Sequence, residues 1–178
     1  MDSFVFIDGN KLRAAELALI VPDLAITVEA LQSGFSTSAP EPGQRARDKV
    51  AAHPVAAGCF AEAVDLTTVD GKSLRLELDT ENENRFTKWW RETPAKMQLV
   101  VALRKAPGAE IEVFTAVCEG RIADKPAGPH LLGWDRLFVP EGEDFTLAQL
   151  SEAGEVVGFR RQAYASLARS LGLTPVDA

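Results

Sequence analysis

Apolar residues change their period several times along this chain, and each change marks an element. Phe4-Val5-Phe6-Ile7 is a continuous apolar run closed by Asp8-Gly9-Asn10, the pattern of a buried strand ending in a turn. From Lys11 the spacing becomes helical, with Leu12, Ala15, Glu16, Leu19 and Ile20 on one stripe until Pro22 forbids continuation. Leu24–Val28 reads as a second strand, Ser33–Gly43 as a surface loop containing Pro40 and Pro42, and Gln44–Ala52 as a helix. Strand, turn, helix, strand, helix opens an α/β domain with parallel strands and right-handed crossovers.

The pattern then shifts. Phe60–Val69 and Ser73–Asp79 flank Asp70-Gly71, a strong hairpin signal. In the second arm Leu74, Leu76 and Leu78 alternate with Arg75, Glu77 and Asp79, which predicts one wet face. Asn84–Glu92 is predicted as a helix stopped by Pro94, and Met97–Leu103 and Ile111–Gly120 as strands joined through Pro107-Gly108. Leu137–Val139 adds a short strand. Phe145–Leu150 and Gly158–Leu171 close the chain as helices, the last with Phe159, Ala163, Leu167 and Leu171 on one stripe. The expected architecture is α/β: a mixed sheet flanked by helices, one domain over residues 1–173, and a loose tail over 174–178. Trp89 and Trp90 point about 100° apart on a helix, so one is expected in the core and the other at a groove or subunit contact.

Charge narrows the choice of partner. With 19 basic and 26 acidic residues the net charge is −7, which argues against gripping a nucleic-acid polymer. A small anionic ligand needs only two or three well-placed cations. The apolar runs are too short to span a bilayer, the opening Met-Asp-Ser-Phe lacks a signal-peptide pattern, and Cys59 and Cys118 make no disulfide framework; a cytoplasmic location is expected. His53 and His130 are the only histidines, so a histidine-rich metal site is excluded and a Ser-His-Asp engine poorly supported. No Walker A, Gly-x-Ser-x-Gly or Cys-x-x-Cys pattern occurs.

Three places could carry chemistry. Asp8-Gly9-Asn10 hands a strand to a helix N-terminus, a natural phosphate seat, with Lys11 and Arg13 adding cations. Taken alone, it reads as an ordinary turn capped by Asn10. Glu41, Asp65 and Glu29 are acids near predicted strand ends, and magnesium wants one or two carboxylates plus substrate phosphates; singly, each is an ordinary surface acid. Trp134-Asp135 pairs an aromatic face with a carboxylate that could fix a planar base, or Trp134 covers the sheet.

These signals occur in one order, and the chain resembles the inosine triphosphate pyrophosphatase (Ham1-like) family. That family opens with a strand, Thr-Gly-Asn and a basic residue three positions after the Asn; here Asp8-Gly9-Asn10 is followed by Arg13, with Lys11 nearby. Ala39-Pro40-Glu41-Pro42-Gly43 is similar to its metal-binding loop, and Lys49 stands sixteen residues before Asp65, like the family's helix Lys and catalytic Asp. Gly133-Trp134-Asp135-Arg136-Leu137-Phe138 resembles its base-pocket segment, Phe145–Leu150 its "T-x-A-E-L" helix, and Arg160 with Ala163 its "S-H-R-x-x-A" helix. The departures fall at chemistry. Asp8 replaces the Thr, Val64-Asp65-Leu66-Thr67-Thr68 keeps one acid of the family's two, and Gly154–Arg160 lacks its Lys and His.

The resemblance implies an ITPase-like domain with a central cleft and a magnesium-dependent nucleoside triphosphate pyrophosphatase, commonly a homodimer. It assigns Asp65 as the catalytic acid, Glu41 and Asp65 as ligands to Mg2+, and Asn10, Lys11, Arg13 and Lys49 to the phosphates. Trp134, Asp135 and Arg160 fall to the base. The departures leave two alternatives open: a nucleotide-binding or interaction module that has lost hydrolysis, or an enzyme for another phosphorylated metabolite.

Overall fold

The computed structural model describes residues 3–54, 57–75 and 82–176. Its strands are β1 (Phe4–Ile7), β2 (Ile26–Glu29), β3 (Cys59–Thr68), β4 (Pro94–Arg104), β5 (Ile111–Ile122) and β6 (Phe138–Pro140). Its helices are α1 (Lys11–Ile20), α2 (Pro42–Ala52), α3 (Glu83–Trp90), α4 (Leu147–Glu152) and α5 (Gly158–Ser170), with a 3-10 segment at His130–Leu137. The strands form one mixed sheet in the order β2-β1-β3-β4-β5-β6, with β1 parallel to β2 and β3, and β5 antiparallel to β6. The α/β expectation holds.

By compactness the chain divides into two units, and the division falls within β3, β4 and β5. The first contains residues 1–64, 99–116 and 158–178. Here β1 is apolar on both faces because both are covered. Val5, Ile7, Cys59, Ala61, Val100 and Ala102 meet Ala46 and Val50 of α2, while Phe6 stacks on Phe60 with ring centres 4.6 Å apart. α1 packs on α5.

The buried face of α1 differs from the predicted stripe. Arg13, Glu16, Leu17 and Ile20 are buried, whereas Leu19 is 54% exposed. A hydrophobicity pattern assumes charges turn to water; here two charges face inward because they pair. The tail also departs from expectation, since Val176 donates to the Ile20 carbonyl at 2.7 Å and accepts from Arg161. That carbonyl belongs to the last turn of α1 and has no partner within its own helix.

The second unit contains residues 65–98 and 117–157. The Asp70-Gly71 turn forms, with Gly71 at φ +87, but its return arm is short. Thr67 and Ser73 make a single antiparallel bridge, Leu74 donates to the Leu66 carbonyl, and Arg75 is already helical. The rest of the predicted arm, through Asp79, runs into residues 76–81, outside the described residues. Thr146 caps α4 in a capping box with Gln149, which moves the helix start two residues past Phe145. Neither tryptophan of α3 is in the core: Trp89 is 58% exposed beneath Arg85, and Trp90 is half-buried under Lys72. Phe86 and Thr87 face inward instead. Both cysteines are free, and burial pushes the Cys59 thiol up despite the opposing charge of Arg104. No helix among the described residues is long and apolar enough to cross a membrane.

At Gly120, paired with Pro140 across the β5–β6 ladder, a Cβ would meet the Val139 carbonyl oxygen head-on and the Phe138 ring at 2.7 Å. Gly120→Ala is therefore expected to cost about 1–3 kcal/mol through overpacking, read as a lower urea midpoint with native circular dichroism retained.

Candidate functional site

In the first unit, β1 ends in a turn whose chemistry is set by three residues. Asp8 adopts left-handed backbone at φ +58, a conformation that Asp and Asn tolerate better than branched residues. Gly9 is needed because a Cβ there would lie 2.6 Å from the Phe6 ring. Asn10 caps α1, its Oδ1 accepting from the N–H groups of Leu12 and Arg13 at 3.0 and 3.1 Å. Lys11 is exposed on the first helical turn.

Lys49, on α2, points its ammonium at this turn. Nζ donates to Asp8 Oδ2 at 2.6 Å and to the Glu62 carbonyl at 3.0 Å. α2 is positioned by Pro42 in its first turn, where a missing N–H costs nothing. Arg45 ties the preceding loop down by donating to the carbonyls of Ala39, Pro40 and Val64. Glu41, the N-cap of α2, makes no side-chain cap and is exposed.

Behind the turn lies a buried charge cluster. Arg13 donates to Glu16 at 2.7 Å, Arg160 on α5 lies 3.7 Å from Glu16 and 3.6 Å from Glu62, and the Tyr164 hydroxyl donates to Glu62. Burial first, and then the adjacent Glu62 carboxylate, hold the Tyr164 phenol well above its ordinary pKa, so it remains a protonated donor.

In the second unit, Asp65 is 7% exposed, and its Oδ1 accepts from Ser73 Oγ at 3.0 Å and from the Leu66 N–H at 3.1 Å. The tight turn at Asp70-Gly71 brings Ser73 back to Asp65. Both bonds fall on one oxygen, so Oδ2 has no hydrogen-bond partner among the described residues. Trp134 is half-buried and Asp135 buried on the 3-10 segment, which is broken by Gly133 at φ +50. Arg136 anchors that segment on the Gly128 carbonyl and on Glu83.

Residues 4–170 match the Ham1 family. The chain belongs to this family. A dITP/XTP pyrophosphatase of Anaeromyxobacter sp. is 28% identical over 159 residues, covering 85% of this chain and 68% of the relative. An inosine triphosphate pyrophosphatase of Yarrowia lipolytica is 29% identical over 160 residues, covering 84% and 85%. A solved HAM1 protein of Coxiella burnetii shares the fold with a TM-score of 0.69 at 20% identity, covering 97% of this chain and 99% of that one.

Within this Ham1 chain, the predicted residues separate by environment. Asn10, Lys11 and Lys49 belong to the β1–α1 turn or reach it. Arg13 and Arg160 instead lie inside the first unit, 7% and 2% exposed, on Glu16 and Glu62. Asp65, Trp134 and Asp135 lie in the second unit. Glu62 and Tyr164 were not predicted, and Glu16 was predicted only as a position on the α1 stripe, although a lone Glu between Ala61 and Ala63 in an apolar strand was a visible signal for Glu62.

Glu16→Gln leaves two nearly buried guanidiniums short of one countercharge and is expected to cost about 3–5 kcal/mol. Tyr164→Phe removes a single hydrogen bond to Glu62 and should cost about 1–3 kcal/mol. Urea unfolding of the two variants checks both the size and the order of these effects.

Proposed function

We propose that this Ham1 chain is a nucleoside triphosphate pyrophosphatase that cleaves between the α and β phosphorus atoms, giving a monophosphate and pyrophosphate. The observation that carries the reading is the family match along nearly the whole chain, with relatives named dITP/XTP pyrophosphatase and inosine triphosphate pyrophosphatase. The β1–α1 turn supports it chemically, since it joins a capped helix N-terminus to the exposed Lys11 and to Lys49.

In this proposal Asn10, Lys11 and Lys49 hold phosphates. Arg13 and Arg160, both held by Glu16, keep α1 and α5 in place, a positioning role. Trp134 offers its ring face to the base and Asp135 a hydrogen-bond acceptor. Asp65 holds a cation or takes the proton of the attacking water through Oδ2, while the bridging oxygen leaves with the bond electrons. Magnesium needs only one or two carboxylates beside the substrate's own oxygens, and Asp65 would hold it. Charge neutralisation on the phosphates is what that ion supplies when bound. A cytoplasmic homodimer belongs to the same proposal.

A second reading is favoured by one observation: the Asp8 carboxylate already occupies the Lys49 ammonium. A nucleotide-binding or interaction module without turnover would tolerate that. Purified protein with magnesium and a panel of common and deaminated triphosphates separates the two. The enzyme should release pyrophosphate, and Asp65→Asn should lower kcat by about 100-fold or more. Binding by calorimetry without pyrophosphate release favours the module, and neither binding nor release refutes both.

A further inference from the structure

Asp8 is fixed by its backbone. Its N–H donates to the Glu29 carbonyl at 2.8 Å, and its positive φ sets the direction in which the side chain leaves the chain. The carboxylate is 44% exposed, while the Lys49 side chain that it meets is 18% exposed. An ammonium has three N–H donors. Two of them are used, by Asp8 and the Glu62 carbonyl, and the third has no partner among the described residues. An anion that approaches Lys49 through that third donor therefore arrives beside a carboxylate held on the same nitrogen, and the two negative groups repel.

We propose that the Asp8 carboxylate competes with anionic ligands for Lys49, so that a phosphate chain binds at the β1–α1 turn only by displacing or outweighing it. The inference rests on the reading that phosphates sit at this turn, and it adds a built-in competitor to it. A neutral residue of the same shape at position 8 removes the competing charge without disturbing the turn, because Asn accepts left-handed backbone as readily as Asp. Thr does not, being β-branched, so it is the wrong probe.

The test is calorimetric binding of inorganic tripolyphosphate, in metal-free buffer, to wild type, Asp8→Asn, Lys49→Met and the double variant. Asp8→Asn is expected to bind about tenfold more tightly than wild type. In the Lys49→Met background the same change should alter affinity by less than about twofold, an outcome that a merely structural effect of Asp8 would not produce. Thermal melts confirm that each variant is folded. A gain below about twofold for Asp8→Asn, an equal gain without Lys49, or no binding by any of the four proteins overturns the proposal. Pyrophosphate release by the wild type is measured separately, so an active enzyme with an indifferent Asp8 refutes this inference alone.

Discussion

Arg13 and Arg160 are nearly sealed from water, and a guanidinium in that position is tolerable only with its countercharges in place. Glu16 serves both, Glu62 serves Arg160, and the Tyr164 hydroxyl occupies the other Glu62 oxygen. Two positive and two negative groups thereby balance inside the first unit. The arrangement ties α1, α5 and β3 together, and the orientation of α1 decides where its N-terminal turn points. Apolar packing alone would let α1 rotate to bury Leu19; the ion cluster sets the face that is actually buried.

Glu62 links this cluster to the turn. Its carboxylate looks to Arg160 and Tyr164, while its backbone carbonyl accepts from Lys49. The same residue of β3 thus supports the structural charges and steadies the ammonium that reaches Asp8. A lysine steadied by a neutral backbone carbonyl loses less freedom when an anion approaches it, which is the physical meaning of a preorganised site.

In the second unit the corresponding device is a turn rather than an ion cluster. Asp70-Gly71 reverses the chain so that Ser73 bonds Asp65, and the bridge between Thr67 and Ser73 closes the arrangement. Ser73 donates to one carboxylate oxygen and so orients the other. The chain thus spends a short hairpin on holding Asp65.

Much of the molecule was legible in the residues. The apolar run of β1, the stop at Pro22, the Asn10 cap and the Asp70-Gly71 turn are local features, and local physics determines them. The family, too, was readable from motif order. Four things were not legible: the rotated face of α1, the absence of both α3 tryptophans from the core, the pinned Val176, and the pairing of Asp8 with Lys49. Each depends on which groups meet across the fold. Lys49 lies 41 residues from Asp8 and Tyr164 102 residues from Glu62, separations over which no periodicity carries information. Sequence alone settled most of the turns and most of the strands and helices; tertiary structure decided which charges are buried and which are spoken for, because the energy of a charge is set by its neighbours in space.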